Sequence, residues 1–126
     1  MNKQLFNKLL FCLTFSLISG CAARVDMINY GPTYSAWDGN VKVYNEKPTD
    51  IKYEEIGKVI VEARSGEFNS SWGEMTQLLT KKSKEIGANG VIMDKESSTT
   101  LGAGSCLAHN TYEVRRLSGI AIRIKE

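Results

Sequence analysis

Histidine is almost missing from this sequence of 126 residues, which contains one, His109. Zinc hydrolase motifs and paired haem ligands draw on several histidines, so the chain does not supply their ligand sets. A serine-type triad would also need an orienting group beside that imidazole, and none is evident in the sequence. We therefore expect no catalytic residues and no cofactor, and the sequence predicts a protein that is not an enzyme.

Long apolar runs are also missing. The apolar stretch at residues 9–18 (LLFCLTFSLI) ends at Ser19-Gly20, whereas a transmembrane helix needs about 20 apolar residues. A basic start with Lys3 and Lys8, a short apolar middle and small residues at the end are typical of a secretory signal. We predict that residues 1–20 are removed on export.

The end of this stretch reads Ile18-Ser19-Gly20-Cys21, which resembles the lipobox of bacterial lipoproteins. The resemblance implies that signal peptidase cuts between Gly20 and Cys21 and that Cys21 carries acyl chains, which hold the protein to the membrane. Ala22 follows in place of the Asp that retains lipoproteins in the inner membrane of enteric bacteria. We therefore expect an outer-membrane lipoprotein that faces the periplasm, with the inner membrane as the alternative.

A charge excess and a cysteine pair are missing from the mature chain. The signal carries two lysines and no acid, so the 16 basic residues fall to 14 and equal the 14 acidic ones. This balance gives no electrostatic reason to expect nucleic-acid binding. Of the three cysteines, Cys12 leaves with the signal and Cys21 is acylated. Cys106 then has no partner within the chain, so no internal disulfide is expected.

The pattern after Cys21 predicts a tether and then one α+β domain. Residues 21–40 show no sustained period and contain Gly31-Pro32, which favours a lipidated tether with Tyr30, Tyr34 and Trp37 as docking points. Residues 41–126 predict β-β-α-β-β, with one helix packed on an antiparallel or mixed sheet. The predicted strands cover residues 41–44, 53–63, 91–93 and 112–125.

The predicted helix has a signal at each end. Ser71 and Glu74 fit a capping box at its start, and Gly87 ends it. Gly57 predicts a bulge or a close backbone approach in the second strand, where Ile56, Lys58 and Ile60 are expected on one face. Ser118-Gly119 predicts a bulge or bend in the last strand.

Residues 97–111 (SSTTLGAGSCLAHNT) predict a long polar loop that contains Cys106 and His109. As metal ligands these two residues supply half of a usual set, so they are weak candidates. As nucleophile and base they lack a third orienting group.

The segments Tyr53-Glu54-Glu55-Ile56-Gly57-Lys58-Val59 and 86–92 (IGANGVI) resemble the small periplasmic domain of the RcsF lipoproteins and the related YbjQ-like domains. The resemblance covers residues 41–126 and implies a structural motif with no catalytic residue. It also implies a lipoprotein that monitors envelope damage through protein contacts. RcsF domains carry two disulfides from four cysteines, whereas here Cys106 alone could occupy such a place.

Two classes of function follow from these patterns. The favoured one is a lipid-anchored module that binds an envelope protein, with envelope-stress sensing as its specific form. The alternative is a lipoprotein that binds a small ligand or a metal through the 97–111 loop. A passive structural envelope lipoprotein is a further reading.

Overall fold

The computed structural model describes residues 23–66, 69–105 and 108–125, with the backbone alone at 103–105 and 108–110. It contains one helix and a five-stranded mixed sheet, which confirms the predicted α+β class. The elements in chain order are β1 (Arg24–Asn29), β2 (Lys42–Tyr44), β3 (Tyr53–Arg64), α1 (Trp72–Glu85), β4 (Gly90–Ser105) and β5 (Ala108–Ile124). The strand order across the sheet is β1-β3-β5-β4-β2. Strand β2 runs parallel to β4, and the other neighbouring strands are antiparallel.

The helix has the predicted caps. The Ser71 backbone N–H donates to the Glu74 carboxylate at 3.2 Å, and the Glu74 N–H donates back to the Ser71 hydroxyl oxygen at 3.2 Å. These two bonds satisfy amides that have no partner inside the helix. At the other end Gly87 has φ +91°, the left-handed conformation that ends many helices.

The core lies between α1 and one face of the sheet. Met75 and Leu79 of the helix are fully buried against β3, β4 and β5. The sheet residues in this cluster alternate along their strands, as period two requires: Val59, Val61, Ala63, Val91 and Leu117. A second cluster, formed by Ile56, Ala88 and Ala121, lies near the helix C-terminus. We call the opposite side of the sheet the outer face.

The sheet has two bulges, and the one at Gly57 was predicted. The β3–β5 register shifts between Glu55 and Gly57, and a Cβ on Gly57 would stand 2.9 Å from the Ile28 carbonyl oxygen. The extra residue moves Ile56 onto the helix side, so its predicted place beside Lys58 and Ile60 is wrong. The second bulge was predicted in the last strand at Ser118-Gly119, and that place is wrong: the register shift lies in the neighbouring strand, between Met93 and Lys95 of β4, opposite Gly119 and Ser118.

The predicted tether over residues 21–40 is wrong for most of its length. Strand β1 pairs with β3 from Arg24 opposite Glu62 to Asn29 opposite Gly57. Further along, the backbone N–H of Trp37 donates to the Lys84 carbonyl at 2.9 Å, and Tyr34 packs on the second core cluster. The segment lacks a visible period because β1 is short, lies at an edge and buries little of its surface.

The predicted loop over residues 97–111 is also wrong. Strand β4 continues to Ser105 and β5 begins at Ala108, so the ladder runs from Gly90 opposite Ile122 to Ser105 opposite Ala108. A two-stranded ladder satisfies its backbone bonds whatever its side chains are. Polar residues therefore occupy strands here without the apolar alternation that identifies a half-buried strand.

Candidate functional site

The residues predicted to carry the anchor lie outside the part of the chain that the structure describes. This holds for Gly20 and Cys21, and also for Cys106. The backbone of His109 lies in β5 opposite Gly104. Lipidation of Cys21 and a Cys106/His109 metal site therefore stay predictions.

Within residues 23–66, 69–105 and 108–125, no group of three or more His, Cys, Asp or Glu residues could hold a metal ion. None of the helices in these ranges is long and apolar enough to cross a membrane.

Strand β1 forms one edge of the sheet and exposes apolar side chains near its end. Met27 is 39% exposed, Ile28 is 51% exposed, and Tyr30 just after the strand is 47% exposed. One side of β1 is paired with β3, so its other side presents the backbone groups of an edge strand. Such an edge can accept a further strand from another protein.

The outer face carries a groove near the end of β3. Its volume is about 410 Å³, and Glu62, Arg116, Leu101 and Tyr112 are among its lining residues. The Arg116 guanidinium donates to Glu62 Oε2 from Nη2 at 2.7 Å and from Nε at 3.1 Å. The Arg64 guanidinium lies 4.8 Å from the centre of the Tyr112 ring. The charges beside the groove thus have partners within the fold.

A second ion pair on the outer face marks the β4 bulge. The Lys58 ammonium donates to Asp94 Oδ2 at 2.7 Å, and the Ser118 hydroxyl lies 3.5 Å from the same oxygen. The hydrogen bond from Lys58 lowers the pKa of the Asp94 carboxyl, and the bond to Asp94 raises the pKa of Lys58. Both groups are about one-third exposed, so the pair contributes modestly to stability.

Arg115 joins the start of the long β4–β5 hairpin to the start of the helix. Its guanidinium donates to the Ser70 carbonyl at 3.0 Å and to Glu113 Oε2 at 3.1 Å, and it lies 5.8 Å from the Trp72 ring centre. The hydrogen bond from Arg115 lowers the pKa of Glu113. These contacts fix the hairpin at the point where it leaves the domain.

The C-terminal end of the helix is held by a contact set that sequence reasoning missed. Arg123 Nη1 donates to the Gly87 carbonyl at 2.8 Å, and its guanidinium lies 4.8 Å from the Trp37 ring and 5.6 Å from the Tyr34 ring. The Tyr34 hydroxyl donates to Glu54 Oε2 at 2.6 Å, which raises the pKa of Tyr34. Because the cation already occupies the aromatic pair, this set stabilises the fold. The sequence signal that could have revealed these contacts is the pair of aromatic residues, Tyr34 and Trp37, in the segment predicted as a tether.

No protein-family model and no curated protein matches the sequence. Among solved structures, the chain is similar to the crystal structure of FvfA, a Francisella virulence factor, in its orthorhombic form. The TM-score is 0.45 with 16% sequence identity, over 76% of this chain and 96% of that chain.

Proposed function

We propose that this chain is a lipid-anchored lipoprotein of the bacterial outer membrane whose periplasmic domain binds an envelope protein through the edge strand β1. The observation that carries the anchor is the lipobox-like Ile18-Ser19-Gly20-Cys21 after a short apolar run. Two or three acyl chains on Cys21 would hold the domain at the membrane almost irreversibly.

The edge strand supports the binding role. Backbone donors and acceptors on the edge of β1 that does not pair with β3 are available to a partner strand, and Ile28 and Tyr30 offer apolar contact beside them. Exposed apolar side chains on an edge strand favour association, which proteins normally avoid at such edges. The resemblance to RcsF-like domains adds the more specific hypothesis that the contact reports envelope stress.

The anchor is tested by growing cells with labelled palmitate and comparing the natural chain with Cys21→Ser. We expect label on the natural chain alone, with the variant retained as an uncleaved precursor. Equal labelling of both chains would rule out Cys21 as the lipid site.

The binding surface is tested by placing a photo-crosslinking amino acid at Ile28 in the anchored protein. Gln77 serves as the control because it is exposed on the helix, away from β1. We expect a defined adduct with an envelope protein from position 28 and none from position 77. The same adducts from both positions, or none from position 28, would contradict a site at β1.

Stress sensing needs its own experiment. If the contact reports envelope damage, a strain that lacks the protein should lose its response to an outer-membrane stress, and Ile28→Lys should reproduce that loss. A deletion strain with an unaltered response would favour the passive structural role.

A further inference from the structure

The β4–β5 hairpin extends well beyond the rest of the sheet. Strand β3 ends at Arg64, which pairs with Val114, and Val114 pairs in turn with Thr99. Beyond that row the ladder continues as two strands, residues 100–105 and 108–113, which we call the ribbon. The six steps along the strand from Thr99 to Ser105 give the ribbon a length of about 20 Å.

The ribbon and the start of strand β1, which follows the predicted anchor in the sequence, lie at the same end of the domain. Strand β1 begins at Arg24, which pairs with Glu62, and the same row continues through Arg116 to Ser97. Cys21 precedes Arg24 by three residues, so their Cα atoms are at most about 11 Å apart. From Ser97 to Ser105 the ladder advances by about 26 Å in the direction from which β1 enters. The ribbon therefore reaches farther from the domain than the lipidated residue can.

The composition of the ribbon suits a membrane surface. No Asp, Glu, Lys or Arg stands between Glu96 and Glu113, a stretch of 16 residues. Leu101 is 44% exposed and pairs directly with Tyr112 on the outer face. A Tyr beside an exposed aliphatic side chain is typical of residues at the membrane interface.

Resting on the proposed lipidation, we propose that the ribbon lies in the headgroup layer of the membrane that holds Cys21, with Leu101 and Tyr112 in contact with lipid. A lipidated Cys21 would stand at that layer, and the two residues between it and Arg24 would keep the ribbon end of the sheet close to it. The backbone groups on the edges of a two-stranded ribbon exclude the hydrocarbon core, where they would find no partner. Residues 97–112 have no charged side chain, so the contact needs no anionic lipid. Beside them Glu62 pairs with Arg116, and the Arg64 guanidinium lies against the Tyr112 ring.

The test uses the acylated protein reconstituted in phosphatidylcholine vesicles. Cys106→Ser removes the free thiol, and Leu101→Cys accepts an environment-sensitive dye. The control dye stands at Asp50→Cys, an exposed site next to the opposite end of the sheet, where Tyr53 pairs with Ile124. Lipids with a quencher near the headgroup should quench the dye at position 101 several-fold more than the dye at position 50. High salt should leave this difference unchanged.

A second variant tests whether the short link to Cys21 places the ribbon at the membrane or whether the ribbon binds the membrane by its own affinity. About ten Gly and Ser residues inserted after Ala22 would let the domain move away from the bilayer. Quenching at position 101 should then fall toward that at position 50. Persistent quenching would overturn the role of the short link, and equal quenching of both positions in the uninserted protein would overturn the contact itself.

The mass of the purified protein separates this inference from the anchor on which it rests. A chain without acyl groups would overturn both. An acylated chain whose position 101 stays in water would overturn the ribbon contact and leave the anchor intact.

Discussion

The turn at Gly87 offers a direct measurement of how firmly residues 30–40 belong to the domain. Gly87 has φ +91°, and a Cβ built there would stand 2.4 Å from Tyr34 Cβ and 2.7 Å from the Ser35 carbonyl oxygen. Gly66 has a similar φ of +84° and nothing within 4 Å of the same position. The two Gly→Ala substitutions therefore share a backbone penalty and differ in contact with the 34–35 segment.

The expected losses follow from these two terms. An L-residue in the left-handed region costs about 1 to 2 kcal/mol, and this is the whole expected effect of Gly66→Ala. Gly87→Ala adds an overlap that side chains cannot relieve by rotation, because Tyr34 Cβ and the Ser35 carbonyl belong to or adjoin the backbone. Overpacking of this kind costs about 1 to 3 kcal/mol more. The total is a large part of the stability of about 5 to 15 kcal/mol that domains have.

The assay is urea denaturation of the mature chain with Cys21→Ser, in which tryptophan fluorescence reports the unfolding. Gly87→Ala should lose at least about 1 kcal/mol more than Gly66→Ala, with a melting temperature several degrees lower than that of the control. Equal losses in the two variants would show that the 34–35 segment does not pack against the helix end. The segment would then be the tether that its composition suggests.

Three other substitutions test the contacts around the site. Asp94→Asn removes a carboxylate whose pKa is lowered by Lys58. The stability from this pair is present at neutral pH and lost as the pH falls below about 4. The variant should therefore lose less than about 1 kcal/mol at pH 7, and its free energy of unfolding should fall less steeply at acid pH in urea titrations. An unchanged fall at acid pH would refute the pairing. Ser71→Ala removes the helix cap and should cost about 1 kcal/mol by urea denaturation, while Ser71→Thr should cost much less. Arg123→Met removes the cation beside Trp37 and should cost about 1 to 2 kcal/mol with a change in tryptophan emission. No change in stability or emission would show that Arg123 does not hold the helix end to Trp37.

The sequence predicted the features that depend on a few neighbouring residues. The capping box of Ser71 and Glu74 and the end of the helix at Gly87 are confirmed, because each depends on backbone groups within one turn. The bulge at Gly57 was found for a similar reason, since a missing side chain marks a place where backbones approach. Its effect on Ile56 was not predicted, because the extra residue breaks the alternation of side chains between the two faces of the sheet at the bulge.

The features that the sequence did not predict depend on distant partners. Strand β1 is stable because β3 lies beside it, and its own residues bury too little to reveal a period. Among the described residues the ribbon consists of two paired strands beyond the end of β3, and neither apolar alternation nor a turn motif identified it. In the sequence Arg123 resembles any exposed charged residue, because its partners Tyr34 and Trp37 come to it only through the fold. For the anchor the situation is reversed, since its evidence lies wholly in the sequence motif.

The replacement of a predicted tether by strand β1 changes what the proposed anchor would do. A flexible link of about 20 residues would let the domain explore a volume of several nanometres, whereas three residues hold the start of β1 within about 11 Å of the acylated residue. Ile28 lies four residues along β1 from Arg24, at most about 13 Å farther from the membrane. A partner that pairs with β1 must therefore approach to within about 25 Å of the bilayer surface. This geometry favours membrane-embedded or membrane-bound partners, and a soluble periplasmic adduct at position 28 would argue against the short link as well as against the partner class.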